Sequence, residues 1–173
     1  MPRRDCKQTH AVTFFNAMEM RARFQACACP TIIQLWFQKI SSMPFISVTR
    51  LRLHSIRFLV SFAIQAARSK KQSIASPGCL GAEVRKTNGL AFWTLTIWDS
   101  EEAMRSFMKN SPHREVMPKL ARWCDEAAVA HWVQESQVHP TWQEAADRLL
   151  KSGRLSRVSN PSNAQRDGHI NVA

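Results

Sequence analysis

At 173 residues the chain has room for one domain with a hydrophobic core, plus tails. Its 24 basic and 13 acidic residues leave a formal charge of +11, which brings nucleic acid or an acidic surface into consideration as a partner. The excess is spread along the chain and only Arg68, Lys70 and Lys71 cluster, so charge alone gives nucleic-acid binding little support; no apolar stretch reaches the roughly 18–20 residues that would span a membrane.

Residues 1–42 show no sustained period and read as an N-terminal extension, poorly ordered apart from a short amphipathic helix over TIIQLWFQKI (31–40). Glu19, Arg21 and Arg23 interrupt any secretory hydrophobic region, and the low serine content argues against an organellar transit peptide. Met43 stands just before the first strand signal, which suggests a native start there. The five cysteines, Cys6, Cys27, Cys29, Cys79 and Cys124, are odd in number, and Cys27-Ala28-Cys29 lacks the second ligand pair of a structural zinc site. Reduced thiols in a cytoplasmic protein without a structural metal are the expectation.

From Phe45 the patterns sharpen. FISVTRLRL (45–53) is β-branched and alternates at its far end, which predicts a strand. Ser55 then suits an N-cap, and Ile56, Leu59, Val60, Ala63, Ile64 and Ala67 share one face of a predicted helix with a basic end. Pro77-Gly78 turns the chain into CLGAEVRKT (79–87). Asn88-Gly89 reads as a two-residue hairpin turn, with both residues at positive φ, before the return strand LAFWTLTIW (90–98).

Asp99, with Glu102 three residues on, predicts a capped helix. Ser111-Pro112 restarts the chain and Pro118 should interrupt it, so residues 100–126 read as a helical segment in two or three pieces. AAVAHWVQ (127–134) is the last predicted strand. Thr141 and Glu144 form a capping box for a C-terminal helix ending at Gly153 (the 135–153 segment), and the polar stretch 154–173 reads as a disordered tail.

The order over 43–134 is strand, helix, strand, strand, helix, strand. That is an α+β, ferredoxin-like βαββαβ domain: a four-stranded antiparallel sheet with its helices on one face. Its return strand puts Trp93, Leu95 and Ile97 on one side and Phe92, Thr94, Thr96 and Trp98 on the other, with no charge on either. Both faces of the sheet must therefore be covered. RNA, the C-terminal helix 141–152 or a second copy of the chain could supply the second cover. RNA-recognition domains carry glycines and Lys/Arg on this strand, which LAFWTLTIW lacks. A homodimer, closing a dimeric α/β barrel around a pocket, is favoured.

FWTLTIWDSEEAMRSFMKNSPHREVMPKLARWCDEAAVAHW resembles the dimeric α/β-barrel superfamily that includes antibiotic-biosynthesis-type monooxygenases, and within it the spheroidene-monooxygenase-like group of bacterial proteins. The likeness covers about residues 44–134. It implies an oxidoreductase acting on an apolar conjugated small molecule, with haem in relatives of the carotenoid enzyme and no cofactor in members that oxidise polycyclic substrates. Fold does not dictate chemistry, so a non-catalytic small-molecule or haem-binding barrel stays open beside the monooxygenase, and an RNA-binding domain behind both.

His131, mid-strand between Val129 and Val133, and His113, in the first turn of a helix, are the candidate haem ligands, because iron takes a neutral imidazole. Trp93, Trp98, Trp123 and Trp132 suit the walls of a pocket for a flat apolar ligand, with Thr94 and Thr96 as pocket hydroxyls. Each also has a plainer reading as core or surface. Asp125-Glu126 reads as a solvated pair or as a carboxylate orienting a histidine. No nucleophile elbow, phosphate loop or dinucleotide fingerprint is present.

Overall fold

The computed structural model describes residues 43–136 and 138–172. The extension 1–42, with its predicted helix and Cys6, Cys27 and Cys29, lies outside these residues. The chain runs through β1 (Phe45–Leu53), a 3-10 turn (Ile56–Phe58), α1 (Leu59–Ala75), β2 (Cys79–Lys86) and β3 (Ala91–Trp98). It continues through α2 (Glu101–Lys109), α3 (His113–Trp123), β4 (Cys124–Val133), α4 (Trp142–Ser152), β5 (Arg154–Leu155) and α5 (Asn163–Arg166).

The sheet order is β2-β3-β1-β4-β5, and each neighbouring pair is antiparallel. The first four strands and α1–α3 form the expected ferredoxin-like α+β arrangement. The hairpin falls at Asn88-Gly89 as expected, but only Gly89 takes positive φ (63°), so Asn88 avoids the left-handed region. Ser100 rather than Asp99 caps α2, accepting from the Ala103 N–H at 3.2 Å. Helix α3 passes through Pro118.

The period-2 pattern holds along β3 and decides the layers. Phe92 packs with Leu51, Leu53, Phe62 and Cys124, and Trp98 packs with Phe45, Met104 and Phe107, so this face meets α1 and α2. Trp93, Leu95 and Ile97 face the other way, joining Ile46, Val48, Ala128, Ala130 and Trp132. That second face is covered by Ala145 and Leu149 of α4, both fully buried, with Leu155 and Ile170 beside them. The sheet is sandwiched as its composition demands, but by the chain's own C-terminal helix where a second copy was favoured. Among the described residues, α4 thus occupies the sheet face that RNA was considered to cover.

The helix face expected for α1 is also corrected. Phe62 and Ser73 are the buried residues of α1, while Ile56, Val60 and Ile64 are 65%, 70% and 54% exposed. A helix with alanines, valines and isoleucines on several sides has no unique apolar stripe, and the aromatic Phe62, packed at a tilt on Phe92 with centroids 4.7 Å apart, decides which side packs.

The segment 154–173 is ordered in its described part, contrary to the expected disordered tail. Leu155 pairs with Ala128 and Arg154 with Val129. Gln165 accepts from the Ala127 N–H at 3.2 Å and donates to the Ser156 carbonyl at 2.8 Å. A polar composition conceals this order because the ties are hydrogen bonds to backbone, which leave no hydrophobic period to read.

Candidate functional site

A cavity of about 310 Å³ lies between the sheet and helices α1–α3. Side chains alternate across each strand, so Ser47 and Thr49 of β1, Thr94 and Thr96 of β3, and Val129 and His131 of β4 all reach its floor. Phe62 of α1, Met104 and Phe107 of α2, and His113 and Met117 of α3 form walls. Methionine and phenylalanine give a soft apolar lining that adapts to a ligand's shape. Arg154, Ser156, Arg157 and Val158 close one side from the C-terminal segment.

Four of the residues picked from sequence therefore meet in one cavity: Thr94, Thr96, His113 and His131. His131 pairs with Ser47 across β1 and β4, its ring 5.6 Å from that of Phe45. Burial lowers its pKa; Arg154 and Arg105 push the same way, and Glu101 opposes them. The His113 ring packs at a tilt against that of Phe107 with centroids 4.6 Å apart, and burial lowers its pKa too, against a smaller opposing effect of the Met108 backbone. Both imidazoles are thereby biased to the neutral form, able to accept a proton or donate a lone pair.

Gln72 positions the His113 end of the cavity. Its side-chain oxygen accepts from the His113 N–H at 2.8 Å, while its amide nitrogen donates to the carbonyls of Phe107 and Asn110 at 3.3 and 3.2 Å. One α1 side chain thus ties the end of α2 to the start of α3. Thr96 is less free than a pocket hydroxyl would be: it accepts from the Trp98 indole N–H at 2.9 Å.

None of the four tryptophans lines this cavity. Trp93 and Trp132 belong to the face under α4, and Trp98 is fully buried against Phe107. Trp123 stacks on Phe58 with centroids 6.0 Å apart. Their spacing predicted burial, and core packing is what it produced. Asp125 and Glu126 are neither a solvated pair nor partners of a histidine. Glu126, 4% exposed, pairs with Arg50 at 2.7 Å and Arg52 at 3.0 Å, and Asp125 pairs with Arg52 at 2.8 Å.

Sequence reasoning missed Gln72, Arg154 and Arg157. Nothing local marks them: a glutamine in the last turn of a helix and two arginines in a polar tail gain their roles only when distant elements meet. The two described cysteines, Cys79 and Cys124, are free, with burial pushing the Cys124 thiol up to about 12. Among the described residues no group of three or more His, Cys, Asp and Glu could hold a metal ion, and no helix is long and apolar enough to cross a membrane.

Known structures share this architecture at low identity. A conserved protein from Methanosarcina mazei Go1 superposes with a TM-score of 0.51 at 16% identity, over 58% of this chain and 99% of its own. A candidate antibiotic biosynthesis monooxygenase from Nitrosomonas europaea gives 0.51 at 10% identity, over 57% and 97%. Rv0793 from Mycobacterium tuberculosis gives 0.50 at 12% identity, over 56% and 99%. These likenesses show the ferredoxin-like fold of the antibiotic-biosynthesis-monooxygenase type. No curated protein matches the chain. The model of a domain of unknown function, DUF3291, matches residues 63–155, from α1 through the cavity-facing strands to Leu155. Since that span is more than half of the sequence and holds most of the cavity, the chain belongs to the DUF3291 family.

Proposed function

We propose that the protein is a monooxygenase-like enzyme that oxidises an apolar, conjugated small molecule in the cavity between sheet and helices. The observation that carries this reading is the convergence of two half-buried, neutral-biased histidines on one mostly apolar cavity of about 310 Å³, a volume in the range of small-molecule sites. The monooxygenase-type fold and the sequence resemblance support it.

A cofactor-free reaction suits these residues. His131 takes a proton from a CH2 group acidified by a flanking carbonyl and aromatic rings. The resulting carbanion reduces O2 and forms a C–O bond to it; the peroxide takes the proton back from the imidazolium and loses water. One oxygen atom stays as a new C=O, and the other leaves with both hydrogens. Phe62, Phe107 and the methionines exclude bulk water from the carbanion.

Haem is the second reading of the same pocket. The donor chemistry fits: His131 or His113 would hold the iron through a neutral imidazole, and Arg154, Arg157 and Lys70 are available to acid groups. When bound, the group would supply oxygen activation. Both readings are tested by titrating the purified protein with hemin and by following oxygen uptake with an anthrone. A Soret band lost in His131→Ala or His113→Ala supports haem, and oxygen uptake lost in His131→Ala supports the cofactor-free reaction. A protein that neither takes up hemin nor consumes oxygen overturns the enzymatic reading in favour of a binding protein.

We also propose a homodimer as the assembled form. With the sheet faces covered, its support is the exposed apolar row of Ile56 in the 3-10 turn and Val60 and Ile64 of α1. Light scattering at micromolar concentration should give twice the chain mass, falling to the single mass in Val60→Lys.

A further inference from the structure

Besides the two histidines, four charged side chains line the cavity: Lys70, Glu83, Arg154 and Arg157. Glu83 faces His139 Nδ1 at 3.6 Å. Among the described residues no carboxylate lies within ion-pairing distance of Lys70, Arg154 or Arg157, although the same chain pairs Arg50, Arg52, Arg105 and Arg148. Three cations without an ion-pair partner thus stand around a cavity whose interior is mostly apolar.

Strand register explains why two of them are there. Arg154 pairs with Val129 and Leu155 with Ala128, so Arg154 shares the cavity face with Val129 while Leu155 turns into the core under α4. The Ser156 N–H donates to the Ala127 carbonyl at 2.8 Å, and the Ser159 N–H to the Ala121 carbonyl at 2.7 Å, which holds Arg157 over the same side. Gln165 fastens this segment from beneath. The fifth strand is therefore a built wall of the cavity, and it brings positive charge next to His131.

We propose that the ligand of this cavity is amphipathic: an apolar conjugated body under α1–α3, with a carboxylate or similar anionic group held by Arg154 and Arg157 and approached by Lys70. This deepens the proposed function and rests on its reading of the cavity as a small-molecule site. Guanidinium groups suit the assignment, because their fork of donors matches a planar carboxylate.

The test compares retinoic acid with retinol, which share one conjugated apolar body and differ at the end group, by quenching of tryptophan fluorescence in the full chain. Exposed ion pairs are individually weak, so two of them should make the acid bind about tenfold more tightly than the alcohol at low salt, with the advantage shrinking as salt screens it. Arg154→Gln combined with Arg157→Gln should remove the acid's advantage over retinol, and the double Lys variant should restore part of it. Equal binding of acid and alcohol by the native protein would overturn the inference while leaving the small-molecule cavity standing. A Gln variant that still prefers the acid would also overturn it. Failure of both ligands to bind would overturn the cavity reading itself, and this assignment with it.

Discussion

The Trp98 indole N–H donates to the Thr96 hydroxyl at 2.9 Å, two residues back on the same strand face. Trp98 is fully buried between the sheet and α2, so this bond satisfies a donor that water cannot reach. It also spends the hydroxyl that a ligand would otherwise meet. Thr96→Val keeps the shape and leaves the indole N–H without an acceptor. Urea denaturation should show a loss of about 1–3 kcal/mol. A neutral result would mean that the bond contributes no net stability.

Leu149 anchors the cover of the second sheet face. It is fully buried with Ala145 against Trp93, Leu95 and Trp132. Leu149→Ala should destabilise the domain by about 2–5 kcal/mol, through lost burial and the cavity it leaves. If instead a partner subunit covered that face in solution, the cost would be small and the variant would keep its midpoint of thermal unfolding.

Glu126 joins β1, β4 and the C-terminal segment at one point. Its carboxylate takes the Arg50 guanidinium at 2.7 Å and the Ser162 hydroxyl at 3.0 Å. Removing one member of a buried ion pair leaves the other charge desolvated, which costs about 3–5 kcal/mol. Glu126→Ala should therefore unfold at markedly lower denaturant, and proteolysis should cut first beyond Gly153, where the Ser162 hydroxyl has lost its acceptor.

The pH dependence of stability should carry the signature of the two half-buried histidines. Both have folded-state pKa values below their ordinary value, chiefly from burial. The unfolded chain then binds more protons than the folded one as pH falls below about 6.5, so stability is full above that region and is lost on acidification. The groups acting on His131 are Arg154, Glu101 and Arg105, and Arg154→Gln should move its titration back toward the ordinary value. Histidine ring shifts followed by NMR would report this directly. A titration of either ring above 6.5 would contradict the burial argument. The proposed oxidation with His131 as base should keep its rate to a lower pH than an ordinary histidine would allow.

The amino-acid sequence by itself determined the secondary structure of β1–β4, the hairpin at Gly89 and the demand that both sheet faces be buried. These depend on short-range periodicity and turn chemistry, which each local stretch carries alone. It also placed Thr94, Thr96 and His131 at positions that turned out to face one cavity, because alternation along β3 and β4 sorts side chains by face, and His113 at a helix start that meets the same cavity. Only the tertiary structure decided what covers the second face, since Ala145 and Leu149 of α4 are as amphipathic as any surface helix until they are docked. It likewise decided that Trp93 and Trp132 are core while the cavity is walled by Phe62, Phe107 and methionines, a choice made by which helix lies over which face. The order of the polar segment after Gly153, and the arrival of Arg154 and Arg157 beside His131, rest on backbone hydrogen bonds and strand register between residues far apart in the chain. Such pairings leave no local pattern, because the partner that gives each polar group its role is supplied by the fold.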